Sequence, residues 1–191
     1  MLRNNLELII GPVCSGKSGE LIRRVDRLTI GNVRVLLVKP TLDTRSKKIK
    51  SRNGSELACY SLQKASDIFE LLIEESLGQD KPIEVIAFDE GQFFTDLYPT
   101  VKKLVQQHYK VLVSALDTDF NGEPFADIPK LVTLSDSVMK LTAVCTECRS
   151  DYAIFSQKLK KGGNVVEVGD LELYEPRCIN CFIEGGITKE N

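Results

Sequence analysis

Short, almost purely apolar runs recur along the first two thirds of the chain: LELII (6–10), VRVLLVK (33–39), IEVIAF (83–88) and KVLVSAL (110–116). Runs this short with little polar alternation predict strands buried on both faces, as in a parallel sheet. Between them the apolar period lengthens. In residues 18–30, Leu21, Ile22, Val25 and Leu28 fall at helical spacing, and Gly31 is a natural stop. Residues 64–77 and 97–107 also read as helices. Residues 40–56, PTLDTRSKKIKSRNGSE, carry neither period and predict a long mobile loop. Strand and helix alternate to about residue 135, which predicts an α/β unit with a mostly parallel sheet and helices on both faces. Beyond that, two strand-like segments (138–144 and 151–158) surround paired cysteines, placing a boundary near residue 140 between units 1–140 and 141–191. There is no internal repeat and no low-complexity tract.

The first strand runs directly into GPVCSGKS, which fits the phosphate-loop pattern G-x-x-x-x-G-K-[ST] over Gly11, Pro12, Val13, Cys14, Ser15, Gly16, Lys17 and Ser18. A loop between a strand and a helix aims several backbone N–H groups at one point, and the helix N-terminus adds partial positive charge. In this pattern Lys17 reaches the β- and γ-phosphates of ATP and the Ser18 hydroxyl binds Mg²⁺. The strand-loop-helix context argues against a chance match. Cys14 reads as a variable filler position within the loop. The first unit is therefore expected to be a RecA-like, phosphate-loop nucleotide-binding domain.

A second chemical feature closes the third run. Asp89 and Glu90 follow IEVIAF at a strand's carboxyl end, the edge where open α/β sheets bind ligands. Asp89 suits the second-sphere Mg²⁺ role of a Walker B aspartate. Glu90 is placed to accept a proton from an attacking hydroxyl or water. The plainer alternative is that both acids cap the next helix. Adjacent carboxylates beside a phosphate loop repel each other, however, and need a reason to be held there. The one histidine, His108, lies late in a predicted surface helix and is a poor candidate base. Of Phe93 and Phe94, one reads as plain core.

Composition narrows the class. The 191 residues are 42% hydrophobic and 27% charged, with a formal net charge of −2, which describes a globular protein and argues against a nucleic-acid binder. No run approaches a membrane span or a secretory leader, so no membrane partner is expected and the expected location is cytoplasmic. Six cysteines are then thiols or metal ligands rather than disulfides. Cys145-x-x-Cys148 and Cys178-x-x-Cys181 suit a structural Zn²⁺ held by four thiolates, with a redox pair as the weaker alternative. Such a site would anchor the long segment 149–177. Cys59 reads as a small buried hydrophobe.

Taken together these stretches resemble the cytosolic, zinc-containing type of thymidine kinase family. The resemblance rests on GPVCSGKSGELIRR (11–24), DTR (43–45), FDEGQFF (88–94), ALDTDFNGEPF (115–125), VMKLTAVCTEC (138–148) and EVGDLELYEPRCINC (167–181), in order over most of the chain. It implies transfer of the γ-phosphate of ATP to the 5′-hydroxyl of thymidine or deoxyuridine, with Glu90 as general base. It assigns Asp89, Glu90, Gly91 and Gln92 to an ATP-adjacent motif, and Asp43 and Arg45 to a loop near the transferred phosphate. It implies a small C-terminal zinc-binding lasso domain, with Cys145, Cys148, Cys178 and Cys181 as ligands. Phe93, Leu116, Phe120, Tyr174 and the backbone around Val168 would line the thymine pocket, and Asp117 would support the metal or sugar site. A homotetramer and feedback by dTTP are also implied. The chain departs from many relatives at Gly169-Asp170, where two glycines precede the substrate tyrosine, and at SRNGSE (51–56).

Three rival readings are weaker. A zinc-bearing ATPase on nucleic acid could use the same acidic pair and the basic run RSKKIKSR (45–52), although that run reads more simply as a solvated loop. A GTPase switch needs N-K-x-D, which the chain lacks. A non-catalytic zinc module leaves the phosphate loop and the acidic pair unexplained.

Overall fold

The computed structural model describes residues 5–43, 48–50, 54–159 and 173–185. Its centre is a six-stranded sheet in the order β5-β2-β6-β7-β1-β8. The strands are β1 (Leu6–Ile10), β2 (Arg34–Pro40), β5 (Tyr60–Leu62), β6 (Ile83–Phe88), β7 (Lys110–Ala115) and β8 (Ser137–Lys140). Every neighbouring pair in this sheet is parallel. Parallel pairing forces crossovers, and the crossovers place helices on both faces. On β1, Leu6, Leu8 and Ile10 share one core with α2 (Ile68–Ser76), α3 (Leu97–Gln106) and α4 (Ile128–Leu134). Ile9 points the other way, into a core with Leu21, Ile22 and Val25 of α1 (Lys17–Ile30). The unbroken apolar runs seen in the sequence are therefore strands with two buried faces.

The segment 40–56 departs from its reading as a loop without strands. Lys48–Lys50 (β3) and Glu56–Ala58 (β4) form an antiparallel hairpin. Ile49 is buried against the α1 core, while Lys48 and Lys50 stay exposed and pair with Glu56. One buried side chain in three residues is enough to dock such a short strand, yet too little to produce a legible period. Cys59, between β4 and β5, is half-buried rather than buried, and packs against the same core. The helix read over 64–77 opens with a 3₁₀ turn, Ala65–Asp67, before α2. His108 lies in the turn after α3, exposed and at φ 65°.

After β8 no further described strand joins the large sheet. The strand-like stretch 138–144 divides at this point: 137–140 pair with β1, and Ala143 bridges Ala153 instead. β9 (Phe155–Lys158) and β10 (Tyr174–Arg177) form a separate antiparallel pair, followed by α5 (Ile179–Glu184).

Candidate active site

The chain leaves β1 at Gly11, whose φ of 148° and surroundings leave no room for a side chain: a Cβ there would lie 2.4 Å from the carbonyl oxygen of Leu141. Gly16 enters α1 in the left-handed region at φ 88°, a conformation that glycine adopts without strain. Between them the loop closes on itself. The Ser15 hydroxyl donates to the Pro12 carbonyl at 2.9 Å, and Lys17 Nζ donates to the same oxygen at 2.6 Å.

β6 ends one strand away from β7 and two from β1, and this brings Asp89 to the loop. Ser18 Oγ donates to the Asp89 carboxylate at 3.2–3.3 Å, and the Asp89 N–H is held by Val38 O of β2 at 2.9 Å. Only 4% of Asp89 and 8% of Lys17 is exposed. Burial, then the adjacent charge of Glu90, pushes Asp89 up to about 6, against the Ser18 hydrogen bond and the charge of Lys17. Burial also pulls Lys17 down, opposed by Glu90 and Asp89. The strand end thus sets buried Lys17 and Asp89 beside half-buried Glu90, with Asp117 also acting on Lys17, an excess of acids electrostatically suited to a further divalent cation.

Glu90 takes φ 51°, a left-handed conformation that a non-glycine residue adopts only where its surroundings hold it. Gln92, 3% exposed, does part of that holding. Its Nε2 donates to Glu90 Oε2 at 2.6 Å, and its Oε1 accepts from the N–H of Leu116 at 3.0 Å. The sequence reading put Gln92 beside ATP; in the structure its amide spans from Glu90 to the end of β7. Gly91 is buried there because a Cβ would meet Val113 Cγ1 at 2.9 Å and Leu97 Cδ2 at 3.0 Å.

The other candidate residues sit on several different elements. Asp43 is buried in the loop after β2, where Lys39 Nζ reaches its carboxylate at 3.3 Å and its carbonyl at 2.8 Å. Asp117, just past β7, binds Lys140 at 2.7 Å. Leu116, Phe93 and Phe120 are half-buried. Phe93 packs edge-on to Phe125, with ring centres 6.1 Å apart, and Lys158 Nζ stands 5.3 Å from the Phe120 ring centre. Phe94, 5.8 Å edge-on from Phe88, is core. Tyr174 is buried on β10 opposite Lys158. Arg45, Val168, Gly169, Asp170 and residues 51–53 lie outside the described residues.

The four cysteines converge. Their sulfurs all lie within 4.8 Å of one another, with Cys148 and Cys178 3.6 Å apart. Cys145 and Cys148 flank a tight turn in which the Arg149 N–H returns to Cys145 O at 3.0 Å, with Arg149 at φ 63°. Cys178 caps α5 and Cys181 lies in its first turn. Burial raises Cys145, but N–H groups of Cys178, Cys148 and Glu147 outweigh it and bring the thiol down to about 6. Cys181, which hydrogen-bonds Cys178 and is then further raised by burial, is pushed up to about 12. Four sulfurs this close cannot all be thiolates without a cation among them, and their arrangement fits a tetrahedral metal site.

Sequence reasoning missed two functional contacts. Buried Asp119 accepts from the N–H groups of Asn121 and Glu123 at 2.8 and 3.0 Å, shaping the loop that carries Phe120. Ser156 of β9 accepts from the N–H of Val13 in the phosphate loop at 3.0 Å. The Asp119 turn is local, and its Asp-x-Asn-Gly spelling is the signal that could have found it; a serine whose partner is a backbone group 143 positions away leaves no pattern that a sequence can show.

Comparison with known proteins identifies the family. The family model described as Thymidine kinase matches residues 4–182. A thymidine kinase of Ureaplasma urealyticum serovar 10 is 38% identical over 180 residues, covering 91% of this chain and 80% of the relative. One from Mycoplasmoides gallisepticum is 36% identical over 181 residues, covering 91% and 78%. One from Ureaplasma parvum serovar 3 is 37% identical over 180 residues, covering 91% and 80%. With the matching model spanning nearly the whole chain and these relatives aligned along most of their own lengths, the chain belongs to the thymidine kinase family.

Proposed function

We propose that this protein is an ATP-dependent thymidine kinase that transfers the γ-phosphate of ATP to the 5′-hydroxyl of thymidine or deoxyuridine, giving dTMP for DNA synthesis. The observation that carries the proposal is the convergence of Lys17, Ser18, Asp89 and Glu90 at one sheet edge, with Ser18 on Asp89 and Gln92 holding Glu90. Phosphoryl transfer is mostly positioning and neutralisation of charge. The loop Gly11–Ser18 would bind the ATP phosphates through its N–H groups, with Lys17 as the cation. Ser18 and Asp89 would hold Mg²⁺, which neutralises phosphate charge when bound. Glu90 would be the general base, taking the proton of the 5′-hydroxyl; its position one residue after Asp89 and the Gln92 hydrogen bond to its carboxylate support that reading. Gly91 lets the chain after Glu90 lie close against Val113 and Leu97, and Gln92 acts through Glu90.

Phe93, Leu116, Phe120, Tyr174 and the Val168 backbone form the proposed nucleoside side of the site, with Asp43 and Arg45 near the transferred phosphate and Asp117 supporting the metal or the sugar. Cys145, Cys148, Cys178 and Cys181 would hold a structural Zn²⁺. Zinc–thiolate bonds of about 2.3 Å put tetrahedral sulfurs about 3.8 Å apart, which the 3.6 Å Cys148–Cys178 separation fits. The division into a nucleotide-binding unit 1–140 and a lasso unit 141–191, a cytoplasmic homotetramer and feedback by dTTP belong to the same proposal, supported by family membership.

The test is phosphate transfer from labelled ATP to a nucleoside panel, with no-nucleoside and single-stranded DNA controls. Labelled dTMP with little free phosphate is the expected result. Comparable labelling of deoxycytidine or purine nucleosides would contradict the assigned substrate. Free phosphate that rises with DNA, without labelled nucleotide, would replace the kinase by an ATPase.

A further inference from the structure

We propose that Ser156 ties the cysteine-bearing unit to the phosphate loop and is a positioning residue for ATP, so that the metal site supports nucleotide binding as well as the nucleoside side. This rests on the reading of Gly11–Ser18 as the ATP loop. Three points of the loop are held from beyond residue 140. At Gly11, the Leu141 carbonyl occupies the space of the missing side chain, and the Leu141 N–H donates to Ile10 O at 2.8 Å. At Val13, the N–H donates to Ser156 Oγ at 3.0 Å, across 143 positions of sequence. At Cys14, the side chain packs against the cluster formed by Ala143, Cys145, Ala153, Cys178 and Cys181.

The loop needs such support. Cys14 sits at φ 65°, a left-handed conformation for a residue with a side chain, and such a backbone persists only where neighbours over-determine it. Two side-chain contacts inside the loop, from Ser15 and Lys17, both end on Pro12 O. Neither acts on the backbone of Val13 or Cys14. Ser156 acts on Val13: it is 2% exposed and its Oγ accepts from the Val13 N–H. It is also part of the cysteine-bearing unit's own framework, since it lies on β9 opposite Pro176 of β10, two residues before Cys178. A phosphate loop binds through the common direction of its N–H groups, so loss of one backbone anchor spreads that direction and weakens nucleotide binding first.

The experiment compares Ser156→Ala with the parent protein. Binding of a fluorescent ATP analogue, measured without nucleoside, should weaken about two- to tenfold, the range carried by one neutral hydrogen bond. KM for ATP should rise by the same factor, with KM for thymidine and zinc content unchanged. Ser156→Thr keeps the acceptor oxygen and should bind ATP like the parent. In the parent, removal of the metal with a chelator should speed amide hydrogen exchange in residues 11–18, a readout that needs no variant. Parent-like ATP affinity in the alanine variant would overturn the proposal. So would equal weakening of ATP and thymidine with loss of zinc, or exchange in 11–18 that ignores the metal. Because ATP binding is read without turnover, a parent protein that binds ATP but phosphorylates no nucleoside would count against the kinase reading alone.

Discussion

Asp89→Asn tests the electrostatics of the strand end. Asp89 is almost fully buried and is pushed from its ordinary 3.8 up to about 6, first by burial and then by Glu90. The folded state therefore binds this proton more tightly than the unfolded chain. The stability it confers is complete below pH 3.8 and is lost as pH rises through 6. At 1.36 kcal/mol per pH unit, holding the charge above pH 6 costs the fold about 3 kcal/mol. Asparagine keeps the acceptor oxygen toward Ser18 and never ionises. In magnesium-free buffer, Asp89→Asn should be more stable than the parent by about 3 kcal/mol at pH 8, by about half of that at pH 5, and by almost nothing near pH 4. For a chain of this length that is roughly 6–12 °C in Tm at pH 8. The assay is thermal unfolding of both proteins across this pH range, repeated with Mg²⁺ and ATP, which should stabilise the parent and not the variant. A variant no more stable than the parent at pH 8, or a gain that is the same at pH 5 and pH 8, would refute the reasoning.

Other perturbations separate the parts of the site. Glu90→Gln should lower kcat by about 10²- to 10⁴-fold, the usual worth of a positioned base, with ATP affinity retained; near-parent turnover would remove Glu90 from that role. Cys145→Ala and Cys178→Ala should each lose bound zinc by elemental analysis, because a three-thiol site is no longer closed; full zinc content would dissolve the assignment. Gly91→Ala forces a methyl group against Val113 and Leu97 at 2.9–3.0 Å and should destabilise the fold by about 1–3 kcal/mol in denaturant titrations; an unchanged midpoint would show that the neighbours yield freely.

How far the sequence reaches depends on the range of the interaction. The parallel sheet was legible because a strand buried on both faces must be apolar at successive positions, and α1 because its stripe of Leu21, Ile22 and Val25 repeats at the helical period. The hairpin at 48–58 was not, because three-residue strands with one buried side chain show no period. α4 is likewise only seven residues long and opens on Ile128-Pro129, too brief for a stripe to stand out.

The sequence by itself determined the local chemistry of this protein: a phosphate loop whose glycines suit left-handed backbone, an acidic pair at a strand end, and two C-x-x-C turns. Each is set within a few residues, where backbone torsions and residue type decide the outcome. Only the tertiary structure decided what those pieces do to one another. It places Asp89 on Ser18 across 71 positions, spans Glu90 to Leu116 through Gln92, gathers four sulfurs within 4.8 Å, and seats Ser156 on Val13. These contacts follow from strand order and from cores packed on both sheet faces, a sum over many side chains that no single stretch of sequence carries.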